Sequence, residues 1–123
     1  MMSKPIQQLK NQPPKTTGRE ILNSVPYENG FHFYTAIGKY TGITASSLSE
    51  FAEKLQKAPV ESIVFHFQRE DYQKWLLSTL KDEELAARLN QLKKWPSWSS
   101  DENLRKELVK TVQIRINELK PLP

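Results

Sequence analysis

Apolar residues recur along this chain with two different periods, and the change of period divides it. Phe31-His32-Phe33-Tyr34-Thr35 alternates faces and is rich in strand-favouring aromatics. Ile37-Gly38 supplies a turn, where glycine takes a positive φ cheaply, and Lys39-Tyr40-Thr41-Gly42-Ile43-Thr44 reads as the returning strand. A lone hairpin is marginal in water, so this one is expected to lie on helices. From Ser46 onward the spacing turns helical. Ser47 and Glu50 form a capping-box pattern, followed by Leu48, Phe51, Ala52 and Leu55 on one face. Lys57-Ala58-Pro59 ends that helix, and Pro59 suits the start of the next.

Val60 to Phe67 is ambiguous by composition. Ser62-Ile63-Val64-Phe65-His66-Phe67 looks strand-like, yet it lies between helical segments without Gly or Asn turns and is read as helix. Neither Gly nor Pro occurs from Val60 to Trp95. A single helix of that length far exceeds the average of roughly 11–12 residues, so breaks are expected, the first at Arg69-Glu70-Asp71. Tyr72, Trp75, Leu76, Thr79 and Leu80 then form an inward stripe. Asp82 is placed to cap a further helix, with Glu83 and Glu84 early, Lys93 and Lys94 late, and Leu85, Ala86, Leu89 and Leu92 as its apolar face. Beyond the connector Trp95-Pro96-Ser97-Trp98, Ser99 and Glu102 suggest a second capping box. Leu104, Leu108, Val112, Ile116 and Leu119 mark the last helix, which Pro121 stops. The predicted fold is α+β and mostly α: an N-terminal β-hairpin packed on a bundle of four to five short helices.

Residues 1–26 follow neither period. They hold Pro5, Pro13, Pro14 and Pro26 with few large apolar groups, so a flexible tail or linker is expected there, and residues 27–123 form a single globular domain. Ile21, Leu22 and Val25 offer material for a short docking turn. Charge follows the same division. The net charge is +4, and Lys4, Lys10, Lys15 and Arg19 against Glu20 alone place three of those charges in the tail. The nearly neutral body argues against a globular surface built for phosphate backbones. Cysteine is absent, which excludes disulfides and thiolate-ligated metal, and the polar start lacks the apolar run of a signal peptide. With no span of the roughly 18–20 apolar residues a bilayer requires, a cytoplasmic protein without membrane contact is expected.

Gly38 after an aromatic strand, Ser47-Leu48, Ser62-Ile63, Phe65 and His66, then Asp71, Tyr72 and Trp75, Glu84-Leu85-Ala86 and Leu104-Arg105 form a wider pattern. Over about Phe33 to Leu119 it resembles an uncharacterised domain family of bacteria and archaea, a domain of unknown function. The resemblance implies stand-alone proteins or modules attached to unrelated partners. It implies no activity, substrate or cofactor.

His66, Arg69, Asp71 and Trp75 are the cluster most suited to ligand chemistry. On a helix His66 and Arg69 point the same way, and Asp71 can orient the imidazole or pair with the guanidinium, a set able to hold a phosphate or carboxylate. The structural reading of the same residues is the stronger one: a satisfied core histidine, a salt-bridge partner, a cap and a core ring. Two histidines, His32 and His66, without ligand spacing make no metal motif, and the glycines make no phosphate loop or dinucleotide fingerprint. Ser46-Ser47 and Ser99-Ser100 are explained by capping, and no nucleophile elbow appears. Trp95 and Trp98 serve either as an exposed anchor for a protein partner or as a lid on the helices. Arg105, Lys106, Lys110, Arg115 and Lys120 on the last helix, and stacking on Phe31, Phe33, Tyr34 and Tyr40, are the other nucleic-acid footholds. The leading expectation is a non-enzymatic module that binds another protein through Trp95 and Trp98 or the His66/Arg69 region. The alternatives are nucleic-acid binding through Lys4, Lys10, Lys15 and Arg19, and a small-ligand or phosphate-ester enzyme centred on His66. No cofactor and no metal are expected.

Overall fold

A computed structural model describes residues 17–121; of the expected tail at 1–26, residues 1–16, with Lys4, Lys10 and Lys15, lie outside the described residues. The elements are α1 (Gly18–Leu22), a 3₁₀ turn (Tyr27–Asn29), β1 (Phe31–Ala36), β2 (Lys39–Ala45), α2 (Leu48–Lys57), α3 (Val60–Arg69), α4 (Asp71–Trp75), a π-helical segment (Leu76–Leu80), α5 (Glu83–Lys94) and α6 (Asp101–Leu119). This is the expected hairpin on helices. The docking turn at Ile21 is a short helix: Thr17 and Glu20 close a reciprocal capping box, and Ile21 is buried.

β1 and β2 pair antiparallel, Phe31 opposite Ala45 and Phe33 opposite Ile43, with irregular register around Tyr34. Phe31 and Phe33 point into the core, which withdraws two of the four hairpin aromatics from any stacking role. Phe31 is the hub: its ring centroid lies 4.8 Å from that of His66, 5.1 Å from Tyr72, 5.5 Å from Phe51 and 5.7 Å from Trp75. One strand residue thereby joins α2, α3 and α4. Rings at such spacing gain roughly 0.5–1.5 kcal/mol beyond the area they bury.

The strand-like run in α3 is helical because its burial has helical spacing. Ser62, Ile63, His66 and Phe67 are the buried positions, a stripe that a period of two cannot produce. The helix stops at Glu70, which takes the left-handed conformation (φ 62°), and α4 begins at Asp71. Lys81 repeats this device (φ 64°) before Asp82 caps α5. Asp82 is more than a cap. Its carboxylate is fully buried, accepts from the Leu85 N–H at 3.1 Å and receives the Arg115 guanidinium at 3.0–3.2 Å, which ties α5 to α6. The start of α6 differs from expectation by one residue. Ser100, not Ser99, receives the Asn103 N–H, while Asn103 reaches back to the Ser99 N–H. Among the described residues no helix is long and apolar enough to cross a membrane.

Candidate functional site

His66, in the last turn of α3, joins three elements. Its Nε2 accepts from the Tyr34 backbone N–H at 2.8 Å, and its Nδ1 lies 2.8 Å from Asp71 Oδ2. A nitrogen that accepts an N–H carries no proton, so the proton sits on Nδ1 and is donated to Asp71. Among the described residues the sheet has two strands, so N–H groups of β1 that face away from β2 need partners elsewhere; His66 supplies one. Arg69 Nε donates to the same Asp71 oxygen at 3.0 Å, and its guanidinium stands 5.0 Å from the centre of the Phe65 ring.

Burial pushes the His66 imidazole below its ordinary range, and the attraction of Asp71 only partly opposes this, so the neutral ring is favoured. Burial alone raises Asp71, but the hydrogen bonds from His66 and Arg69 outweigh it and hold the carboxyl low. Trp75 is buried beside the same hub and donates its indole N–H to the Asn29 carbonyl at 2.9 Å. The sequence therefore named a set that the fold does bring together, but as a joint between α3, α4 and β1. His66 is 4% exposed and both ring nitrogens are occupied, so it offers no lone pair to a substrate. Among the described residues no group of three acidic, histidine or cysteine side chains is placed to hold a metal.

The two connector tryptophans differ in exposure. Trp98 folds back, its ring edge-on to Phe67 with centroids 5.3 Å apart. Trp95 stays out, 67% exposed, at the end of α5 where the chain must leave the helix before Pro96. It lines an open groove of ≈ 430 Å³ between α5 and α6 with Arg88, Gln91, Leu92, Thr111 and Ile114. Leu92, assigned to the inward face, is half-buried and forms part of the floor. One wall is fixed by Arg88, which donates to Glu84 at 2.8 Å and to both Glu118 oxygens at 2.7 and 3.1 Å. On the other side of α5 a polar depression is lined by Glu70, Asn90, Lys93 and Lys94, where Lys93 bonds the Gln68 carbonyl and Glu70 at 2.9 Å each.

The sequence reading missed Arg88, Gln91, Thr111 and Ile114. Ile114 carried a signal: it is an apolar residue off the Leu104–Leu108–Val112–Ile116 stripe, and it is 46% exposed. The basic stripe on α6 is weaker than its composition suggests. Arg115 is committed to Asp82, and Arg105 to Glu102 and the carbonyls of Leu55 and Ala58.

These features define a hairpin-capped helical domain with a sealed histidine joint and one open aromatic seam. Residues 9–113 match the model of a family of unknown function (DUF5752), and the chain belongs to that family. The matched stretch takes in α1, the joint and Trp95, and begins before the hairpin. Neither the comparison with curated proteins nor that with solved structures returned a match.

Proposed function

We propose that this domain acts by binding another protein, with the α5–α6 seam as contact surface and Trp95 as its anchor. The observation that carries this reading is the contrast among the three tryptophans: Trp75 and Trp98 are spent on the fold, while Trp95 is held open beside Ile114 and Leu92. An exposed indole in an apolar depression favours aggregation unless something covers it, and tryptophan is enriched among residues that dominate binding energy. The Arg88 ion pairs set the groove wall in advance, so little ordering cost falls on binding. Catalysis at His66 has less support, because the ring is sealed. Nucleic-acid binding rests on residues outside the described region and on the exposed Arg19. A cytoplasmic setting suits the cysteine-free sequence.

Affinity capture with wild-type and Trp95→Ala protein, each checked for equal folding, tests the proposal. A partner held by wild type should bind the variant about 30-fold more weakly, the equivalent of roughly 2 kcal/mol. Partners recovered equally by both proteins would overturn it.

A further inference from the structure

We propose that the outer face of the hairpin carries a pH-sensitive hydrogen-bond switch, in which His32 controls, through Thr44 and Tyr40, whether the exposed Tyr27 hydroxyl turns its proton inward or offers it to solvent. The switch uses none of the residues of the α5–α6 seam.

Four side chains form one continuous chain. The Tyr27 hydroxyl, in the 3₁₀ turn, lies 3.0 Å from that of Tyr40. The Tyr40 hydroxyl bonds Thr44 Oγ1, which in turn lies 2.7 Å from His32 Nδ1. The sheet assembles them. Phe31 and Phe33 point into the core, so His32 between them takes the outer face, opposite its register partner Thr44. Thr41 and Gly42 stand opposite the single step from Phe33 to Tyr34, with Gly42 at φ 87°. Such a bulge re-aims its neighbours, and here it accompanies the reach of Tyr40 back to Thr44.

Each hydroxyl owns one proton, so the direction of the chain follows from its inner end. In the neutral ring with its proton on Nε2, Nδ1 accepts from Thr44. Thr44 then has no proton left for Tyr40, so Tyr40 donates to Thr44 and Tyr27 donates to Tyr40. When the ring takes a second proton, Nδ1 becomes a donor and Thr44 must accept from it. The Thr44 proton turns to Tyr40, that of Tyr40 turns to Tyr27, and that of Tyr27 is released outward. Tyr27 is 60% exposed, so the outer end of the chain changes from acceptor to donor. The reversal turns O–H bonds only.

The groups that face His32 are Tyr40 and Thr44 from β2 and Tyr27 from the turn, where the exposed Glu28 follows. From α3, His66 meets β1 at the Tyr34 N–H, with Asp71 and Arg69 bonded behind it. Burial holds His66 below the ordinary imidazole range, and the two histidines are read separately.

NMR of the full chain, with ¹³C at the hydroxyl-bearing carbon of tyrosine and ¹⁵N in the histidine rings, tests the switch from about pH 8 to 5, where imidazoles change charge. The Tyr27 and Tyr40 signals should move upfield with the midpoint of His32, because a phenol that stops donating and starts accepting is less phenolate-like. Tyr72, which donates to the Ile63 carbonyl, should not follow that midpoint. Thr44→Val keeps the side-chain shape and the ring charge but cuts the chain, and both tyrosines should lose most of their response. Tyr40→Phe, at a more exposed position, should silence Tyr27 in the same way. Tyrosine signals that stay fixed while His32 titrates, or that follow it undiminished in either variant, overturn the inference. So does a His32 ring that keeps one protonation state across the range.

Discussion

Replacing His66 with leucine (His66→Leu) tests the joint, and the structure sets both the size and the pH dependence of the effect. The substitution leaves the Tyr34 N–H without its acceptor, a loss of roughly 1–3 kcal/mol for a buried donor. Asp71 also loses a donor, but it is 19% exposed and keeps Arg69, so this adds only about 0.5–1 kcal/mol. The expected total is about 1.5–4 kcal/mol out of a typical 5–15. With an unfolding entropy of about 2 cal/mol/K per residue over about 100 ordered residues, Tm falls by about 7–20 °C. The pH dependence has a definite sign. The folded-state imidazole titrates below its ordinary value of 6.5, because burial disfavours its charge. Its contribution is therefore complete above about 6.5, and it is lost as pH falls through the folded value, because only the unfolded chain readily takes the proton. The limiting slope is about 1.4 kcal/mol per pH unit. Protonation also removes the Nε2 lone pair that holds Tyr34. Urea unfolding from pH 5 to 7.5 measures this, and the wild-type curve should decline towards acid more steeply than that of His66→Leu. Parallel curves across the window would refute the account of the joint.

Asp71 adds a separate acid limb, since its depressed titration places its contribution above 3.8, to be lost as pH falls through the lower folded value; Asp71→Asn should flatten the stability profile there. Arg115→Met strands the fully buried Asp82 carboxylate and should cost about 3–5 kcal/mol, whereas Arg88→Met, in the more exposed network with Glu84 and Glu118, should cost about 1 kcal/mol; denaturant midpoints compare them. Gly18→Ala puts a methyl 2.6 Å from the Leu119 carbonyl oxygen and should detach α1, seen as faster amide exchange at Ile21 and Leu22 with little change in the hairpin. Lys81→Gly relieves a left-handed position and should gain roughly 0.5–1 kcal/mol in thermal melts.

The elements of this protein were largely legible in its sequence, because each is written in local terms. Alternation marked the hairpin, helical spacing and caps marked α2, α5 and α6, and the stretch without Gly or Pro ended its first helix at Arg69-Glu70-Asp71. The local pairing of His66, Arg69 and Asp71 was equally readable, since all three lie within two helical turns. What they do was decided by tertiary structure. The acceptor duty of His66 depends on Tyr34, 32 residues away, and the burial of Asp82 on Arg115, 33 residues away. No local pattern encodes such partners. The different exposure of Trp95 and Trp98 belongs to the same class: both flank one proline, and Trp98 packs edge-on to the distant Phe67 while Trp95 stays exposed. Periodicity states which side of a helix is apolar, but which apolar surface stays open depends on which neighbours arrive to cover it.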